Sequence, residues 1–264
     1  MRTFRLTRLL SPLIAVVLLG CDGPSPPVEP KPTFKIDHYK FYDIKTSTTI
    51  AKVPVQLKDQ FHEDKPLYAT VAEPEYFGNP VIKTKKGEKE GDFKNPMAHL
   101  AWYKLETDRS EPRRTLRLTN QFGQQTVIIG SASVLLAPSL KSKKGENVPG
   151  DRALPKSVGH YVGYLILRPV RPFQGPLKLR DQFGTDPNAG IRQAAYLFVP
   201  ADKTADGRYY PRVHPEDHLV AFQLERATVP DGTRRQTRDQ FHTLALDFSS
   251  PKYLAVPTKK KPIN

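Results

Sequence analysis

The sequence predicts an all-β fold made of four tandem repeats of about 45 residues each. Three observations carry this. A short motif recurs four times: Asp59-Gln60-Phe61-His62, Asn120-Gln121-Phe122-Gly123, Asp181-Gln182-Phe183-Gly184 and Asp239-Gln240-Phe241-His242. A histidine (His38, His99, His160, His218) stands 23 residues before the Phe in every copy. The segments around these landmarks alternate apolar and polar residues with period two, while 26 prolines are spread along the chain and no sustained helical period appears.

In chain order, the first element is a signal. Arg2, Arg5 and Arg8 precede the apolar run Leu13–Leu19, which falls short of the roughly 20 residues a permanent span needs. The run closes on Leu18-Leu19-Gly20-Cys21, which resembles the lipobox of bacterial lipoproteins. That resemblance implies cleavage before Cys21 and acylation of its thiol and new amine, so residues 1–20 are read as a signal peptide and Cys21 as the lipidation site. Two or more acyl chains give a stable anchor without a span. The expected location is the cell envelope, outside the cytoplasm. Asp22 resembles an inner-membrane retention signal, and the choice between inner and outer membrane stays open. Residues 21–36 hold the lipidated Cys and a Pro-rich tether, in which the twelve residues 22–33 in polyproline geometry could hold the body up to roughly 35 Å from the anchor.

The repeats follow at 37–83, 99–141, 160–203 and 218–260, joined by polar, basic connectors. Each opens on a His strand, with His38, Lys40, Tyr42 and Ile44 on one face and Tyr39 and Phe41 on the other. An aromatic stands four residues after each histidine: Tyr42, Tyr103, Tyr164 and Phe222. A second strand alternates Val53, Val55, Leu57 or Leu116, Leu118. Asp or Asn then opens a turn by an Asx-type bond, and Gly123 and Gly184 suit a positive φ there. The Phe is expected to plug the core of its own repeat. A third strand (Leu244, Leu246, Phe248) and a fourth (Tyr253-Leu254-Ala255-Val256-Pro257) complete three or four short strands, and each repeat closes on Pro-x-x-Lys at Lys83, Lys141, Lys203 and Lys260. A body of that size buries too little apolar surface alone, so the repeats must pack in pairs or as one sandwich- or barrel-like body.

The repeats resemble a family of unknown function from secreted bacterial proteins, with His-x₃-Tyr, an Asp-Gln-Phe-Gly turn and a Pro-x-x-Lys close. In that family many repeats carry a cysteine three residues after the His and another two before the Pro, implying a disulfide. Here the pairs are Phe41/Gly78, Trp102/Leu136, Gly163/Phe198 and Ala221/Ala255. If each pair faces across the sheet, volume-conserving apolar contact replaces the staple.

Removing Arg2, Arg5 and Arg8 with the signal takes the formal charge from +14 to +11. That excess favours anionic partners, here anionic lipid or cell-wall polymer, and the exported location argues against nucleic acid. With Cys21 lipidated, no thiol remains for a disulfide, a thiolate metal site or cysteine catalysis. A protein partner cannot be named from the sequence.

For chemistry, the repeated residues are His38, Asp59, Phe61, His99, Asn120, Phe122, His160, Asp181, Phe183, His218, Asp239 and Phe241. Presence in every copy favours a structural role, with Asn120 pointing to hydrogen-bond acceptance rather than charge. The closing lysines could pair with those acids or cover the surface. His214–His218 and His62-Glu63-Asp64 concentrate potential metal ligands without metalloprotease spacing. Asp186-x-Asn188-x-Gly190 matches the start of a calcium loop without its twelfth-position Glu and is read as a turn. No nucleophile elbow, Walker loop or dinucleotide fingerprint appears, and no cofactor is expected. The expectation is a membrane-tethered, non-enzymatic binding or structural module. The alternative is a hydrolase or carbohydrate-active protein with a site between repeats.

Overall fold

The computed structural model describes residues 33–148, 150, 153–168, 175–225, 227 and 233–263. The signal peptide, Cys21 and most of the tether lie outside the described residues. The body is all-β: β1 (His38–Lys45), β2 (Val53–Lys58), β3 (Leu67–Lys85), β4 (His99–Thr107), β5 (Arg114–Asn120), β6 (Gly123–Lys141), β7 (His160–Ile166), β8 (Leu177–Asp181), β9 (Gly184–Ala205), β10 (Arg208–Tyr210), β11 (His218–Glu225), β12 (Thr233–Arg238) and β13 (Thr243–Pro262).

Four times the chain makes a His strand, a short strand and one strand of 19 to 22 residues. The expected third and fourth strands are thus a single strand. Its pairing register shifts at midpoint bulges, for example between Val71, Pro74 and Tyr76. Proline fits such a bulge because it has no N–H to leave unpaired. Two further expectations are corrected. Asp186, Asn188 and Gly190 lie inside β9 rather than in a turn, and the connector 204–217 contains the edge strand β10.

The long strands organise everything else. Their second halves alternate with the His strands around a closed antiparallel ring, β1–β3–β4–β6–β7–β9–β11–β13 and back to β1. The four repeats therefore form one closed body, not two pairs. Closure removes sheet edges, which would otherwise be open to pairing with other chains. One face of the ring points inward. Phe41 of β1, Trp102 of β4 and Phe198 of β9 belong to strands that are not neighbours, yet their rings meet at 5.0–6.4 Å between centroids. They can do so only across the lumen.

The four residue pairs at the expected staple positions line that lumen. Phe41 pairs with Gly78, Trp102 with Leu136, Gly163 with Phe198 and Ala221 with Ala255, each as direct cross-strand partners. A Cβ on Gly78 would come 2.7 Å from the Phe41 ring, and one on Gly163 would come 2.6 Å from Phe198. The glycines are therefore the space that the opposing rings fill, and apolar packing holds these expected staple positions.

The opposite face of the ring packs beneath the four hairpins formed by each short strand and the first half of its long strand. This outer layer holds the larger apolar cluster, including Tyr42, Phe77, Leu135, Leu197 and Phe222. Beyond its repeated proline, each long strand leaves the ring and pairs with the short strand of the repeat two along. Ile82 meets Arg180, Lys141 meets Thr237, Lys203 meets Leu57, and Lys260 meets Leu118. This diagonal pairing brings the Asx-Gln-Phe turns onto distant repeats.

Candidate functional site

The repeated polar residues converge on one network, made four times. In each turn the Asx side chain accepts the backbone N–H of the Phe two residues on, at 2.7–2.9 Å. That closes the turn. Gly123 (φ 108°) and Gly184 (φ 137°) then permit two-residue hairpins.

The second Asx oxygen reaches across the molecule. Tyr42 Oη donates to Asp181 (2.7 Å), Tyr103 to Asp239 (2.6 Å) and Tyr164 to Asp59 (2.6 Å), always from the repeat two along. In the fourth copy the partners are Phe222, which lacks the hydroxyl, and Asn120, which lacks the charge. Asn120 instead donates to Thr258 Oγ1 at 3.2 Å. A buried carboxylate without its donor would be left unpaired, so acid and hydroxyl are lost together.

The motif Phe rings do not plug their own repeats. Each is half-buried and packs edge-on against the aromatic of the repeat two along, at 5.1–5.4 Å between centroids. The closing lysine of the preceding repeat covers the same ring: Lys141 over Phe183 (4.2 Å), Lys203 over Phe241 (4.4 Å), Lys260 over Phe61 (4.7 Å) and Lys83 over Phe122 (5.4 Å). Burial pushes Lys141 and Lys203 down to about 7 despite the nearby acids Asp181 and Asp239.

The repeated histidines stand at the strand starts. His38 bonds to Gln121 and His160 to Gln240, each a turn glutamine of the next repeat. In the other two turns, Gln182 donates to the carbonyl of Pro96 (2.9 Å) and Gln60 to that of Pro215 (3.2 Å), three residues ahead of His99 and His218. His99 packs against Phe77, and His218 Nδ1 faces the Glu216 carbonyl. Burial, aided by nearby lysines, holds His38 and His218 near 3 and His160 well below the usual range, so these rings are neutral.

His62 differs. Its Nδ1 faces Asp59 at 2.9 Å and its Nε2 bonds to Glu111, from the connector after β4. Burial alone would lower its pKa, but the two carboxylates outweigh that and raise it to about 9. Glu63 and Asp64, its neighbours in sequence, are exposed. Among the described residues no group of three or more His, Cys, Asp or Glu is placed to hold a metal ion. A second buried pair, Lys40 with Asp186, joins β1 to β9.

A family model described as a repeat of unknown function (DUF7450) matches residues 99–257. The chain belongs to that family. No curated protein matches the chain, and no solved structure does. The match begins at His99, the start of the second repeat, and ends at Pro257, within the fourth. Sequence reasoning assigns no role to the turn glutamines or Glu111, and it places Lys40 on a strand face and Asp186 at the start of a calcium-like loop without pairing them. The glutamine is identical in all four motifs, which is a readable signal. Glu111 and Asp186 lie outside the repeated pattern and meet their partners only in the fold.

Proposed function

We propose that the protein is a lipid-anchored envelope protein whose ring of repeats is a rigid, non-enzymatic binding or structural module. In this reading the lysine-bearing end of the ring faces anionic lipid or envelope polymer. One observation carries it. The His strands begin and the ring sections of the long strands finish at the same end, because neighbouring ring strands are antiparallel. The three connectors and the C-terminal Lys259-Lys260-Lys261 tract leave from that end, and the first described residues join it there. Lys35 N–H bonds to Asp217 (2.6 Å), Lys94 Nζ to the Ile36 carbonyl (2.8 Å), and Lys259 lies over Phe34 (5.2 Å). A lipid on Cys21 would tether the body through the chain that enters it at residue 33, and Lys86, Lys89, Lys143 and Lys144 are exposed in the connectors. Each basic residue close to an anionic surface adds about 1 kcal/mol.

Two measurements test the reading. Radiolabelled palmitate should enter the full-length protein and fail to enter Cys21→Ala. The mature chain from Asp22 onward should sediment with anionic vesicles at low salt and release as salt rises. Replacing the four exposed lysines by Ser should weaken that binding tenfold or more. Absence of label ends the anchor reading. Vesicle and anionic-polymer binding that is absent, or unchanged by salt, ends the electrostatic one.

A further inference from the structure

One contact between repeats breaks the pattern of the ring. Lys40 of β1 and Asp186 of β9 form an ion pair at 3% and 2% side-chain exposure, 146 positions apart in the chain. The positions matching Lys40 in the other three His strands hold Ala101, Val162 and Val220, all buried and apolar. Taking two charges out of water is costly, and apolar side chains of similar size often serve stability as well or better. A buried ion pair at this one position therefore has a reason other than packing.

The groups around the pair indicate that reason. Lys40 and Tyr42 share a face of β1, and Lys40 Nζ lies 5.1 Å from the centre of the Tyr42 ring. Tyr42 Oη donates to Asp181 at 2.7 Å. Asp186 stands opposite Leu179 in the β8–β9 hairpin and Asp181 follows Leu179 by two, so both carboxylates occupy the buried face of that hairpin. Burial, together with both carboxylates, pushes the Tyr42 hydroxyl well above its usual range. Asn79 is the direct cross-strand partner of Lys40 and is fully buried. Its Nδ2 donates to Asp181 at 3.4 Å, and its Oδ1 has no hydrogen-bond partner among the described residues. An amine and a carboxyl group are thus in contact away from solvent, with a second carboxylate and an open acceptor beside them.

We propose that Lys40 and Asp186 condense spontaneously to an isopeptide bond that staples repeat 1 to repeat 3. The Lys40 ammonium first passes a proton to the Asp186 carboxylate, so that amine meets acid. Nζ then bonds to Cγ, while Asp181 takes one proton from the nitrogen and returns it to the departing hydroxyl, which leaves as water. One C–N bond forms, one C–O bond breaks, and Asp181 ends as it began. Contact between the two groups makes this condensation unimolecular. The product amide carries no charge, which removes the cost of the buried pair, and its N–H is a donor next to Asn79 Oδ1. Asp186 has no competing route to losing water through the following backbone nitrogen, because Pro187 carries no N–H.

The test uses the mature chain from Asp22 onward, incubated overnight in its folded state. Intact-mass spectrometry should find it lighter than its sequence by one water, about 18 Da. Tryptic digestion should release a branched peptide that joins Ile36–Lys45, uncut at Lys40, to Asp181–Arg192. Lys40→Arg keeps the cation without an amine that condenses, and Asp186→Ala removes the acid. Both should yield no branched peptide and keep the full mass. Asp181→Asn should slow the appearance of the branched peptide at least tenfold in a time course begun at synthesis; an unchanged rate would overturn its part as proton carrier. An unaltered chain of full mass without the branched peptide would overturn the proposal, as would a water loss that persists in Lys40→Arg. The branched peptide is read on the unaltered chain, so its presence or absence remains decisive if a variant does not fold.

Discussion

At the scale of single residues, the fourth copy of the network is a natural double substitution. Three diagonals carry Tyr with Asp, and one carries Phe222 with Asn120 (5.4 Å between the Phe122 and Phe222 rings above it). Asn120→Asp alone would bury a carboxylate with no hydroxyl opposite and break the bond to Thr258, costing about 1–3 kcal/mol. Adding Phe222→Tyr should recover part of that loss. Urea unfolding of both single variants and the double variant should give a favourable coupling of about 1–2 kcal/mol; strict additivity would count against the diagonal bond.

His62 gives a second residue-scale expectation. Its pKa is raised from 6.5 to about 9 in the fold. A raised value means the folded state binds the proton more tightly, so its contribution to stability is complete below about pH 6.5 and disappears as pH climbs through 9. Stability should therefore decline between those limits. In His62→Gln the decline over that window should flatten, as followed by urea midpoints at stepped pH.

At the scale of elements, the lumen layer decides how closely strands approach. Gly163→Ala would set a Cβ 2.6 Å from Phe198 and 2.7 Å from Val134 Cβ, and overpacking of this kind costs about 1–3 kcal/mol. Ala221 and Ala255 are the roomier version of the same pair. Directly opposed antiparallel residues lie about 4.5–5.5 Å apart at Cα, within the range a disulfide spans. Ala221→Cys with Ala255→Cys should therefore oxidise spontaneously and add about 2–4 kcal/mol. Loss of free thiol and a higher urea midpoint without reductant would be the readout; two persistent thiols would refute it.

These elements also mark where the sequence was legible. The period-two pattern revealed the His strands and hairpins, and the Asx turns showed in their residue types. The long strands did not read as single elements. Their second halves, such as Tyr196-Leu197-Phe198-Val199-Pro200, face the lumen on one side and the hairpins on the other, so alternation dissolves into a continuous apolar run. The Tyr–Asp bonds were hidden differently. Each joins residues more than 100 positions apart, and only the joint change at Phe222 and Asn120 leaves a trace in the chain.

At the scale of the whole molecule, closure makes the repeats interdependent. In an open array each repeat touches only its neighbours, and loss of a terminal one trims the structure. Here deletion of residues 218–264 would touch every remaining repeat. Repeat 1 would lose the β13 partner of β1 and the Lys260 cover on Phe61. Repeat 2 would lose Asp239 from Tyr103 and Thr258 from Asn120. Repeat 3 would lose Gln240 from His160 and Phe241 from Lys203. The expected outcome is collapse of the truncated chain to an unfolded state, and a single transition for the intact one. Trp102, the only tryptophan, is well placed to judge this. It belongs to repeat 2 and packs against Phe41, Phe198 and Tyr253 from the other three. Its fluorescence should follow the same urea curve as far-UV circular dichroism, because the lumen exists only while all four repeats hold it; two separated curves would mean that part of the ring stands alone.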